Sequence, residues 1–193
     1  MGLALRKDTG RYTYADYRCW PEEERVELID GVAWAMGPAP SRRHQEIVLE
    51  IARQIADALE GSPCRPYIAP FDVRLPQADE ADEWVKTVVQ PDIAVICDKS
   101  KLDEAGCRGA PDWIVEVLSP ATVARDQITK RALYERAGVR EYWIVHPSDR
   151  VVTIYLWENG VYGKPAIQEL TETTAATILP GVIIDWARVM RED

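Results

Sequence analysis

Pro111-Asp112-Trp113-Ile114-Val115-Glu116-Val117-Leu118 is a run of β-branched and aromatic residues suited to a buried strand, with one carboxylate set deep inside it. Pro91-Asp92-Ile93-Ala94-Val95-Ile96 repeats the arrangement with its acid at the start. A carboxylate among such residues is costly unless it is paired, neutralised or bound to a metal. Glu116 has no local turn to serve, so Asp92 and Glu116 together mark the place where chemistry is expected. The two-residue period of a strand puts Asp112, Ile114 and Glu116 on one face and Trp113, Val115 and Val117 on the other. Asp112 follows a proline where a strand begins, a position at which aspartate bonds a backbone N–H, and a structural role is expected for it.

After Glu116, Thr122 can cap a helix that Gly138 would end. Asp126, Lys130 and Tyr134 then share one face at i, i+4 and i+8. On spacing alone this is a surface ion pair, but the helix should start near the end of the Glu116 strand. Before the two strands, Thr13 to Tyr17 reads as a short helix capped by Thr13. Asp30-Gly31 between Arg25–Ile29 and Val32–Met36 reads as a hairpin turn. Ser41 can cap a helix running to about Glu60, with an apolar stripe of Ile47, Val48, Ile51, Ile55 and Leu59. Short strands are expected at 65–69 and 71–75, an acidic loop at 76–87, one strand from Val88 to Ile96 and a loop at 98–111. Strands at Glu141–Val145 and Val151–Trp157 and an Asn159-Gly160 hairpin complete the pattern. This order predicts one α/β (α+β) domain over residues 1–193, built around a mixed sheet.

At 47% hydrophobic residues the chain can fill a sizeable core, and no apolar run approaches the ~20 residues that span a bilayer. MGLALRKDTG lacks the apolar stretch of a signal peptide. Cys19, Cys64, Cys97 and Cys107 form no CxxC, so reduced thiols in a cytoplasmic protein are expected. No GxGxxG or GxxxxGK[ST] is present. The net charge of −9 counts against general tight binding to nucleic acid. It does not exclude a nuclease, for which local charge matters. Arg42, Arg43 and His44 open one helix, and Arg125, Lys130, Arg131, Arg136 and Arg140 lie in or beside another. The acids gather elsewhere, at Glu22-Glu23-Glu24, Asp79-Glu80, Asp82-Glu83 and Glu192-Asp193.

Two acids converging at one end of a sheet can hold Mg²⁺, which favours carboxylate, carbonyl and water oxygens. A nearby lysine can orient water or stabilise charge on a scissile phosphate. Glu27, between Val26 and Leu28, reads either as a third acid or as a polar-face residue of an alternating strand; alone, the second reading is favoured. His44 lies off the apolar stripe, facing solvent or touching phosphate or metal-bound water. His146 precedes Pro147 and reads as part of a turn.

VELIDGVAWAM, SRRHQEI, QPDIAVI, PDWIVEVLSPAT, DQITKRALYERAGVREYWIVHP and LPGVIID, each weak alone, together and in this order resemble the Uma family of restriction endonucleases in the PD-(D/E)XK nuclease superfamily. The resemblance runs from Tyr14 to about Met190. It implies a restriction-endonuclease-like core, a central mixed β-sheet flanked by helices. It implies a metal held by Asp92 and Glu116, with the Val117 carbonyl as an extra ligand. Glu27 would match an additional acid near the N-terminus, and His44 the family's helix histidine. The superfamily motif has lysine two residues after the second acid, where Leu118 stands here. The family resemblance puts that lysine at Lys130, with Asp126 and Tyr134 supporting it.

The leading expectation is therefore a Mg²⁺-dependent DNA endonuclease, with Mn²⁺ as a substitute. Asp92, Glu116 and Lys130 would be catalytic, and Arg42, Arg43, His44 and Arg131 would meet the DNA backbone in a cytoplasmic homodimer. The alternative is a weak or inactive nuclease-fold module that binds nucleic acid or protein, favoured by the acidic net charge and by Leu118. A third is a metal-dependent hydrolase of small phosphoesters.

Overall fold

The computed structural model describes residues 11–21, 24–37, 39–119 and 125–191. Thr122, expected as a helix cap, and the acidic pairs at 22–23 and 192–193 lie outside them. The elements are α1 (Tyr14–Tyr17), β1 (Val26–Ile29), β2 (Val32–Ala35), α2 (Arg42–Ala58), β3 (Arg65–Ile68), β4 (Val73–Arg74), β5 (Val88–Val89) and β6 (Ile93–Ile96). There follow β7 (Leu102–Asp103), β8 (Gly106–Arg108), β9 (Trp113–Val117), α3 (Arg131–Ala137), β10 (Glu141–His146) and β11 (Val151–Glu158). The chain finishes with β12 (Val161–Tyr162), β13 (Ala166–Glu169), β14 (Thr173–Ala175), β15 (Ile183–Asp185) and α4 (Trp186–Val189).

A central sheet runs β12-β11-β10-β9-β6-β3, with β13 also on β11. It is mixed: β9 lies parallel to β10 and antiparallel to β6. One face carries Trp113, Val115, Trp143 and Val145, packed against the stripe of α2 and against Trp186. The other carries Ala94, Ile114, Tyr142 and Ile144, packed against Leu133 and Tyr134 of α3. A second sheet, β2-β1-β5-β4-β8-β7, stands beside it.

Local chemistry explains most elements. Ser41 Oγ accepts from the His44 N–H at the start of α2. Thr13 and Asp16 form a capping box on α1. Asp30 and Gly31 both take positive φ, 51° and 79°, in the tight turn of the β1–β2 hairpin.

Five expectations are corrected here. The loop expected at 98–111 carries the short strands β7 and β8. Val88–Ile96 is not one strand: it divides at Gln90–Asp92, so that β5 belongs to the second sheet and β6 to the central one. Pro91 has no N–H to give a ladder, and the chain changes sheets there. The helix after β9 is not α-helical throughout: Arg125–Lys130 forms a π-helix before α3 begins. Cys64 and Cys97 are not free thiols but a disulfide, because the β3–β6 register places them opposite one another. Cys19 and Cys107 remain free. His146 ends β10 rather than sitting in a turn, its Nε2 3.3 Å from Thr153 Oγ1. Among the described residues, no helix is long and apolar enough to cross a membrane.

Glu141 is a buried acid with a structural task. Its carboxylate accepts from Trp143 Nε1 at 2.6 Å, from Thr177 N at 2.9 Å and from Ile178 N at 2.9 Å, tying the segment before β15 to the central sheet. Glu141→Ala leaves these donors, the buried Trp143 indole among them, without their carboxylate and is expected to lower unfolding free energy by about 1–3 kcal/mol. Urea titration checks this; no loss would mean that water replaces the carboxylate freely.

Candidate active site

The sheet crossover at Gln90–Asp92 assembles the site. The β6–β9 register, continued one residue beyond Ile93–Val115, sets Asp92 opposite Glu116. Asp92 Oδ2 accepts from the Val117 N–H at 2.8 Å, and the Asp92 N–H points at Glu116 Oε2 at 3.3 Å. Glu27 arrives from the second sheet, since β1 pairs with β5 just before the crossover. The Gln90 N–H donates to Glu27 Oε1 at 3.0 Å. Glu27 is fully buried, which corrects its reading as a polar-face residue.

Lys130 joins the two sheets. Its Nζ lies 2.8 Å from Glu116 Oε1, 2.8 Å from Glu27 Oε1 and 3.7 Å from Asp126 Oδ1. Tyr134 donates its hydroxyl to Glu116 Oε1 at 2.9 Å. The π-helix explains an arginine that spacing did not single out. With i→i+5 bonding, residues five apart align, and Arg125 stands with Lys130 against Glu27. Arg125 Nη1 is 3.5 Å from Glu27 Oε2. The buried Nε and Nη1 of Arg125 make no hydrogen bond among the described residues.

From α2, His44 Nε2 is 2.9 Å from the Val117 carbonyl and 3.2 Å from Asp92 Oδ2. These two oxygens thus face one point, held here by an imidazole nitrogen. Two carboxylates and a carbonyl are hard oxygen donors of the type Mg²⁺ accepts together with water. The donor set fits such an ion once His44 moves aside. Among the described residues, no group of three or more His, Cys, Asp or Glu side chains is placed to hold a metal ion.

The electrostatics are unequal. Burial pushes the Glu116 carboxyl up to about 8; Lys130 opposes this, while Asp126, Asp92 and Glu27 add to it. Burial would also raise Glu27, but Lys130 and Arg125 hold it below the usual carboxylate range. Burial works against the Lys130 charge, and Glu116, Glu27 and Asp126 more than overcome it, leaving the ammonium firmly charged. Burial disfavours charge on His44 as well, but the bond and charge of Asp92 raise it overall.

A cavity of about 530 Å³ opens onto these groups, and Arg25, His44, Gln90, Asp92, Glu116, Arg125 and Lys130 line it. Asp92, Glu116, Val117, Lys130, Glu27, His44, Asp126 and Tyr134 are thus brought together. Asp112 is elsewhere, accepting from the Cys97 N–H at 2.8 Å and pairing with Arg140. Arg42, Arg43 and Arg131 do not line the cavity. Arg42 pairs with Glu46, Arg43 donates to the Arg191 carbonyl, and Arg131 pairs with Glu135 over the Tyr155 ring. Arg25 and Arg125 stand in the cavity instead. Arg25 read only as the first residue of a hairpin strand, and Arg125 was hidden because its alignment with Lys130 follows a π-helical step.

The family model "Putative restriction endonuclease", Uma2, matches residues 14–187. A protein of Synechocystis sp. described as uncharacterized is 27% identical over 143 residues, covering 72% of this chain and 71% of that protein. A crystal structure from Anabaena variabilis, described as a putative nuclease belonging to DUF820, superposes with a TM-score of 0.72 at 18% identity. It covers 92% of this chain and 97% of that one, a likeness of fold.

Glu116 also predicts a pH dependence. Its pKa is raised above the ordinary 4.5 on folding, so ionising it removes stability progressively as pH rises from about 4.5 to about 8. In metal-free buffer, wild type is expected to lose stability relative to Glu116→Gln across that window and to level off above it. A pH-independent difference in denaturation midpoints would show that burial does not hold a proton on Glu116.

Proposed function

The chain belongs to the Uma2 family of restriction endonucleases, and on that footing we propose that it is a Mg²⁺-dependent endonuclease that hydrolyses phosphodiester bonds in DNA. The observation that carries this reading is the lysine. Leu118 stands where the superfamily motif has one, but Lys130 Nζ lies 2.8 Å from Glu116 Oε1 in the cavity that Asp92 and Val117 also line.

Asp92, Glu116 and the Val117 carbonyl would hold the ion, with Mn²⁺ as a substitute. When bound, it would lower the pKa of a water and offset charge on the phosphate. The protein does the rest. The Val117 N–H fixes Asp92. Tyr134 and Lys130 fix Glu116 Oε1 from two directions, leaving Oε2 toward Asp92. Glu27 holds Lys130 from the other side, so the ammonium can orient the attacking water and stabilise the negative charge of the transition state without moving. Arg125 lines the cavity beside Glu27, and its guanidinium would suit a phosphate oxygen. His44 would pass from the two ligand oxygens to phosphate or a metal-bound water. The working assembly would be a homodimer, symmetric pairs being the commonest oligomer, and a DNA substrate is met in the cytoplasm.

The test is a cleavage assay on plasmid and single-stranded DNA with Mg²⁺, Mn²⁺ or EDTA. Wild type should cut only with metal, and Glu116→Gln should not cut. Lys130→Gln should lose cleavage yet keep the rise in melting temperature that Mn²⁺ gives wild type. Cleavage at the wild-type rate would remove Lys130 from the mechanism. Absence of cutting by wild type with both metals would favour the non-catalytic binding module.

Asp92→Asn and Asp112→Asn give a second comparison. The first should abolish cleavage and the second reduce it only mildly, as checked by initial rates. The reverse ranking would put the site at the wrong aspartate.

A further inference from the structure

A second cavity, of about 630 Å³, adjoins the first: both are lined by Arg25, Pro70 and Gln90. Its wall is unlike that of the first. Tyr17 and Trp20 present their rings, centroids 5.5 Å apart, while the Tyr14 ring, 6.0 Å from that of Tyr17, is buried. Arg18 lies over the Tyr14 ring, 5.4 Å from its centroid. Tyr17 and Trp20 are only half-buried. The carboxylate of Asp72 also lines this space, where its Oδ1 accepts from Tyr17 at 3.0 Å and from Gln90 Nε2 at 2.8 Å. Gln90 therefore connects the two cavities, since its own N–H holds Glu27.

Aromatic faces, arginines and the carboxylates of Asp72 and Glu24 within one cavity are groups that can take a nucleobase: rings stack on it, and polar atoms meet its edge. Inside a duplex, bases stay stacked and cannot enter a side cavity unless the nucleotide is unpaired or extruded. We propose that this second cavity is a base-binding subsite, occupied by an unpaired nucleotide of the strand whose phosphate lies in the first cavity, so that the preferred substrate is single-stranded DNA. Arg25, at the junction, would hold the phosphate between the two. This inference rests on the endonuclease reading of the first cavity, and its test separates the two.

The test is binding, measured by fluorescence anisotropy in EDTA at low salt so that nothing is cut. Three labelled probes are used: a short single strand, the same sequence as a blunt duplex, and an abasic strand that keeps every phosphate. Wild type should hold the single strand about tenfold tighter than the duplex or the abasic strand, in the range that base–aromatic stacking provides. Trp20→Ala should lose that advantage and bind all three probes alike, while Trp20→Phe keeps it. Equal affinity of wild type for the single and abasic strands would overturn the subsite, without any variant needing to fold. So would tighter binding to duplex, or a folded Trp20→Ala that binds like wild type. A protein that shows the Trp20-dependent preference but never cleaves keeps the subsite and loses the endonuclease. One that cleaves but shows no preference does the reverse.

Discussion

The site depends on one buried ammonium. Lys130 Nζ, 2.8 Å from Glu27 and from Glu116, draws together a strand of the second sheet, a strand of the central sheet and the helix between β9 and β10. Taking the Lys130 and Glu27 charges out of water costs several kcal/mol per ion, which their mutual attraction must recover, while burial holds Glu116 toward its neutral form. Further partners help: the Gln90 N–H on Glu27 Oε1, the Arg125 charge 3.5 Å from Glu27 Oε2, and the Tyr134 hydroxyl and Asp92 N–H on Glu116. The ion pair is weak evidence for stability and strong evidence for register. A slip of either sheet by one residue would turn its acid away from the lysine and leave charge buried without a partner.

The same arrangement leaves the acids in excess of the cations. Glu27, Asp92, Glu116 and Asp126 gather around Lys130 and Arg125, and burial weighs on the Glu116 carboxyl most visibly. A cluster made this way would favour further positive charge. Its free capacity lies on the Asp92 and Val117 oxygens, where His44 now stands. The features that would make the site a catalyst are thus also those that make the metal-free fold less stable than it would otherwise be, a tension common at functional sites.

Burial of an acid in an apolar strand is not by itself a mark of chemistry. Glu116 and Glu141 have the same signature in sequence, one inside a Val/Ile-rich run and one at the start of another. Glu141 spends its lone pairs on an indole and two backbone amides, away from the cavity. Glu116 has a lysine, a tyrosine and a neighbouring aspartate, and it faces open space. Only the identity of the donors tells them apart.

The local elements and the faces of the strands were legible in the sequence. The period of two placed Ile114 and Glu116 opposite Trp113, Val115 and Val117, the Asp30-Gly31 turn and the Ser41 cap followed from φ preference and an orphan N–H, and the α2 stripe followed from helical spacing. These depend on neighbours a few residues apart. The tertiary structure decided what depends on distant groups. It split Val88–Ile96 between two sheets at Pro91 and so carried Glu27 to the site. It set a π-helical step that aligned Arg125 with Lys130, and it placed Cys64 across from Cys97. Pairing between sheets and compensation of buried charge are properties of the assembled fold, since each requires partners that the local pattern of the chain does not specify.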